Sequence, residues 1–282
     1  MITQRVPPHT YFAVSAVFHY LGPAFAVLLF DHVDPLGVAW LRIASAGAIF
    51  ALWRRPWRAW PHLRRETRRL LLAWGAVPGA MNSCFYLAIE VLPLGTVAAI
   101  EFLPVIALAA LSARTPRNLA ALVLAVTGVY LLTDIEIGGE PVGLLFAGAN
   151  ALLLGHRVSR DEALTSIDGL ALSMLIAVAG ALPVGAWDAA PAFTDPLLLA
   201  AAVGVGVCSS VIPYVCDQLV MRRLARGTYS LMIALLPATA TVIGVIVLTQ
   251  IPSPLEVTGV MLVIVGVAVH REHERQNQDT AS

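Results

Sequence analysis

Of the chain's 282 residues, 58% are hydrophobic and 13% charged, with a mean hydropathy of +0.78. A soluble domain carries roughly 25% charged residues, so this composition excludes one and requires a membrane protein crossing the bilayer many times. All 18 basic residues are Arg; without Lys there is no GKT/GKS phosphate loop and hence no built-in nucleotide-hydrolysing motor. The formal net charge of zero says little in such a chain, where the placement of charge carries the meaning.

After a short polar start, apolar stretches fall near 11–30, 35–53, 70–90, 93–112, 117–133, 142–158, 167–187, 196–221, 227–249 and 254–270. Each is about one bilayer crossing at the roughly 20 residues a spanning helix needs. The fold expected is therefore all-α and integral to the membrane, with ten transmembrane helices. Cys84, Cys208 and Cys216 lie within these stretches without CxxC or Cys/His spacing and read as small apolar residues, so no disulfide, metal or other cofactor is expected. Residues 53–69, WRRPWRAWPHLRRETRR, alternate Arg with Trp beside a span, which points to anionic headgroups at the membrane face and not to nucleic acid. Residues 271–282 read as a polar tail.

Charge placement tests the count. With a cytoplasmic N-terminus, every Arg except Arg42 falls in an inside segment, whereas Asp31, Asp34, Glu90, Asp134, Glu136, Glu140, Asp188 and Asp195 fall in the outer loops. That is the positive-inside asymmetry with both termini inside. Miscounting by one span would invert every later loop.

The piece Leu92-Pro93-Leu94-Gly95-Thr96, followed by an apolar run and Pro104, recurs as Leu224-Ala225-Arg226-Gly227-Thr228 followed by an apolar run and Pro237. The span after each proline carries a corresponding glycine, Gly128 or Gly266. Two halves of five spans, 11–133 and 142–270, then have opposite orientation. Inverted repeats recur in secondary transporters, with the substrate site near the midplane. On Leu41-Arg42 with Gly47, Gly79-Ala80-Met81-Asn82 with Phe85-Tyr86-Leu87, Pro93-Leu94-Gly95 with Glu101-Phe102 and Pro104, and Pro213-Tyr214 with Asp217, the chain resembles the EamA-type drug/metabolite transporter family, and within it the threonine/homoserine exporter group. Where that group tends to carry Glu before the proline of the ninth span, Leu236 stands here. The resemblance implies a secondary carrier exporting small polar metabolites across the cytoplasmic membrane, amino acids first among them.

Two residues stand out on energetic grounds. Arg42 lies seven residues in from Pro35 and Glu101 eight in from Pro93, about 11–12 Å along their helices at 1.5 Å per residue. A charge in hydrocarbon costs roughly 2.5–3.5 kcal/mol on insertion scales, so such groups face an interior partner or a pathway. They are expected either to pair directly or to meet through a substrate bearing both charges. His19 titrates near neutrality and suits proton exchange or a satisfied interior role. Asn82, Tyr86 and Asn150 line a pathway or join helices by hydrogen bonds. Asp217 is an acidic candidate with a competing ion pair to Arg222 or Arg223. Pro104 and Pro237 mark equivalent kinks. No HExxH helix or GxSxG elbow is present, which leaves an intramembrane enzyme without its machinery. A passive scaffold would not need Arg42 and Glu101; a broad drug exporter would, and differs in substrate. Coupling to protons, and a monomeric or dimeric state, are left open by the residues.

Overall fold

The computed structural model describes residues 7–58, 65–112, 115–136, 140–158, 167–221 and 235–269. Among these residues the chain is helical and contains no strand. Its long helices are α1 (Pro8–Val27), α2 (Pro35–Arg54), α3 (Arg65–Val91), α4 (Leu94–Ser112), α5 (Pro116–Glu136), α6 (Pro141–Val158) and α7 (Ile167–Gly185). Helix α8 follows in three consecutive pieces, Pro196–Gly206, a π turn at Val207–Val211, and Ile212–Met221. Then come α9 (Leu236–Leu248) and α10 (Pro254–Val269). Each matches one of the expected apolar stretches. The repeat element at 224–228, the arginines at 222, 223 and 226, and the tail from 271 lie outside the described residues.

Local chemistry sets the boundaries. Helices α1, α2, α5, α6, α8 and α10 all begin on proline, whose fixed φ suits the first turn and whose missing N–H costs nothing there. Asp195 accepts from the Leu197 amide at 2.8 Å to start α8. At α10 a capping box closes reciprocally, with the Ser253 amide donating to Glu256 Oε2 at 2.5 Å and the Glu256 amide to Ser253 Oγ at 3.2 Å. Helices α2 and α9 stop at Arg55 and Thr249, both left-handed, with φ of 49° and 55°.

By length and composition, Pro8–Val27, Pro35–Arg54 and Pro196–Asp217 are long and apolar enough to cross a membrane. The exterior is apolar as well: Leu119, Val123, Val126 and Tyr130 of α5 point outward, as do Val257, Met261 and Val265 of α10. A helix hydrophobic on all sides belongs in a nonpolar medium. The largest core, containing Tyr20, Tyr86, Leu94, Val97, Ala147, Ala240 and Val263, draws on most of the long helices. Helix α5 packs along α10, α2 along α7, and α4 against α9; α3 contacts α6 and α7, while α8 contacts α1 and α2. Gly128 meets Gly259 and Val263 of α10, and Gly266 meets Ala121 and Ala125 of α5. The ends of α4 and α9 close on each other where the Leu94 amide donates to Gln250 Oε1 at 3.2 Å. A cavity of about 190 Å³ opens beside that contact, lined in part by Pro93, Thr96, Thr241, Gln250 and Glu256.

Candidate functional site: a buried guanidinium and a buried carboxyl

Helix α8 builds the site's most specific feature. In an α-helix the Ser209 carbonyl accepts from the amide four residues on, but that residue is Pro213, which has no N–H. The π turn immediately before it widens the helix, a distortion concentrated at functional sites. The carbonyl turns to Arg42 of α2, whose Nη2 donates to it at 3.2 Å. Arg42 Nε donates to Ser210 Oγ at 3.1 Å. Two glycines allow the close approach. A β-carbon at Gly22 would collide with Ser209, and one at Gly206 would collide with Ser45 Oγ and the Arg42 carbonyl. Small residues of this kind let helix backbones approach within a membrane.

The third Arg42 contact comes from α3, where Asn82 Oδ1 accepts from Nη1 at 2.6 Å. Asn82 is itself held by its Nδ2 donating to the Ala39 carbonyl at 3.0 Å, which fixes which end of the amide faces the guanidinium. One turn further along α3, the Tyr86 ring lies 5.5 Å from Arg42 Cζ, within cation–π range. Arg42 is only 8% exposed. A buried ion loses several kcal/mol of solvation; three hydrogen bonds to a charged group, at about 1.5–3 kcal/mol each, offset that cost. All three partners are neutral, and among the described residues Arg42 makes no ion pair.

Glu101 of α4 is buried as well. It lies beside Asn150 of α6 and within electrostatic reach of both Arg42 and Tyr20. Of the two expected arrangements, the direct Arg42–Glu101 pair does not form among the described residues, where the two charges interact at longer range. Among the described residues, the Asn150 amide and the Tyr20 and Tyr86 hydroxyls are buried and make no hydrogen bond of ordinary geometry, although Asn150 approaches Glu101 and Tyr86 approaches Arg42 and Ser209 closely. Leaving such a group unsatisfied costs about 1–3 kcal/mol.

The other candidates divide. His19 of α1 sits edge-on to Tyr20, ring centroids 5.2 Å apart, and within reach of the Arg42 charge. Asp217 stands seven residues beyond Ser210, about 10 Å along the helix, and accepts from Ser15 Oγ of α1 at 2.6 Å. Its proposed partners at 222 and 223 lie outside the described residues. Pro104 is inside α4, whereas Pro237 occupies the first turn of the described part of α9. Ser209, Ser210, Ser15 and Tyr20 were not singled out from the sequence. The consecutive serines beside Pro213, inside an otherwise apolar run, were the available signal.

Comparison with known proteins bears on this arrangement. The model of the EamA-like transporter family matches residues 142–270. The threonine/homoserine exporter RhtA of Escherichia coli strain K12 is 31% identical over 252 residues, which cover 86% of this chain and 84% of the relative. The protein of the same name from Salmonella typhimurium strain LT2 is 30% identical over 255 residues, with the same shares covered. The resemblance therefore extends across both halves of the chain, including the helices that carry Arg42, Asn82 and Glu101, and the chain belongs to the EamA-like transporter family.

Proposed function

We propose that the chain is a ten-span secondary exporter of small zwitterions, amino acids of the threonine and homoserine kind, in the cytoplasmic membrane. Arg42 holds the substrate carboxylate and Glu101 its ammonium. The observation that carries this reading is the neutral surround of Arg42: a full positive charge is buried with hydrogen bonds but no counter-ion among the described residues, and the nearby Glu101 carboxyl, beside the neutral Asn150 amide, likewise has no cation in contact among them. Hydrogen bonds offset the desolvation of Arg42 but give neither group an opposite charge, and a ligand bearing one charge of each sign supplies both. The names of the relatives supply the substrate class.

In this reading the halves 11–133 and 142–270 are inverted repeats with both termini cytoplasmic. Helix packing supports it, since moving each helix five places along turns α3–α6 into α8–α1 and α3–α7 into α8–α2, and leaves α2–α7, α4–α9 and α5–α10 as self-paired contacts. The reciprocal Gly128 and Gly266 contacts fit the same operation. The arginine-rich segment 53–69 then meets anionic headgroups. The chain is a carrier with no catalytic role, its partner a small molecule. Counterflow of labelled L-threonine or L-homoserine into proteoliposomes tests the reading: saturable uptake is expected, and transport of aromatic cations with neither amino acid carried would replace it with broad drug efflux.

A further inference from the structure

Three buried side chains with unmet hydrogen-bonding capacity lie in one neighbourhood, and they divide between the two charges. Tyr86 faces the guanidinium, whereas Asn150 approaches the Glu101 carboxyl closely enough for a loose hydrogen bond, with capacity left over, and Tyr20 is within electrostatic reach of it. Tyr20 is 1% exposed and Asn150 fully buried. Buried polar groups of this kind are normally partnered. Their chemistry differs from that around Arg42. A carboxylate oxygen, an amide Oδ1 and a phenolic oxygen are all acceptors, and here they come from three helices, α4, α6 and α1.

We infer that Tyr20 and Asn150 are substrate-recognition residues that complete, with Glu101, a three-acceptor site for a primary ammonium. The inference rests on the exporter reading and narrows its substrate class. An –NH₃⁺ group offers three N–H donors, one for each acceptor. A secondary amine offers two and adds a methyl group where the walls are close-packed; a trimethylammonium offers none. The site therefore selects primary amines over N-methylated amino acids and betaines, a discrimination that neither the charge of Glu101 nor that of Arg42 provides alone. Tyr20 supplies the α1 wall of this site, adjacent in sequence to His19, whose ring it meets edge-on.

The test is competition for L-threonine counterflow by the full-length protein in proteoliposomes. With the wild-type chain, N-methyl-L-threonine is expected to compete about tenfold less well than L-threonine, the scale of one hydrogen bond to a charged group, and the N-trimethyl compound not at all. Tyr20→Phe and Asn150→Leu are each expected to raise the KM for L-threonine by about tenfold, to keep most of the maximal rate, and to narrow the preference for the primary amine. A merely structural role would lower abundance or rate without moving that preference. Equal competition by the N-methylated and primary amines in the wild type overturns the inference while leaving amino-acid export intact. An unchanged preference in both variants does the same. Absence of any L-threonine or L-homoserine counterflow overturns the exporter reading itself, and this inference with it.

Discussion

Arg42 and Glu101 stand about equally deep in their helices, yet the chain houses them in opposite ways. Around Arg42 all three guanidinium nitrogens are engaged, by a side-chain amide, a hydroxyl and a carbonyl released by Pro213. Around Glu101 the neighbouring polar groups, Asn150 and Tyr20, make no hydrogen bond of ordinary geometry among the described residues, Asn150 approaching the carboxyl only loosely. On the proposed reading, the difference gives one core a fixed charge and a responsive one. The guanidinium is held by α3 and α8 before any substrate arrives, whereas in that reading the carboxyl side completes its hydrogen bonds with the ligand. Preorganised frames of this kind lower the ordering cost of binding.

Breaking the rigid side has the largest expected effect. Arg42→Lys keeps the charge but places one ammonium where a planar fork reached α3 and α8 together. Two charge-assisted hydrogen bonds are lost, at least about 3 kcal/mol in all, and L-threonine counterflow is expected to fall below detection with protein still present in the membrane. Gly206→Leu acts on the same frame indirectly, since its side chain would drive α8 away from Ser45 and the Arg42 carbonyl. Overpacking costs about 1–3 kcal/mol, to be read as a lowered midpoint of thermal unfolding in detergent.

Asn82→Asp sharpens the comparison by giving Arg42 the counter-ion it lacks. The fold should be at least as stable, while the competing carboxylate weakens L-threonine affinity by about tenfold, the order of one charge-assisted contact. Tighter binding would show that Arg42 does not meet the substrate. The smallest effect is expected for Ser15→Ala, which removes the Asp217 hydrogen bond. A loss of about 0.5–1.5 kcal/mol in stability, with the KM for L-threonine unchanged, would place that pair outside the substrate site.

Much of this was legible in the sequence, for identifiable reasons. Helix limits followed from hydropathy, and Pro35, Pro141 and Pro254, which open α2, α6 and α10, agree with them. Arg42, Glu101, Asn82 and Asn150 stood out because charge and amides are expensive in apolar segments. What could not be read was pairing. Both charges lie at similar depth, but which of them finds partners depends on the π turn of α8 and on Gly22 and Gly206, which bring Ser209 and Ser210 to α2. A π turn leaves no periodic mark in an apolar run. Tyr20 was equally silent, because a tyrosine in a span reads as packing until its neighbours are known. The family resemblance drew attention to Arg42, Asn82 and Glu101 without locating their hydrogen bonds.

Glu101→Gln tests the central claim most directly, because it keeps the size and one acceptor oxygen while removing the charge and replacing the other acceptor with a donor. With abundance in the membrane confirmed, L-threonine net export and L-threonine exchange should be measured on the same proteoliposomes. A substrate ammonium held by Glu101 predicts that both are lost. Exchange that persists while net export fails would assign the carboxyl to a transported proton and not to the amine, and wild-type rates of both would contradict any role for Glu101 beyond packing.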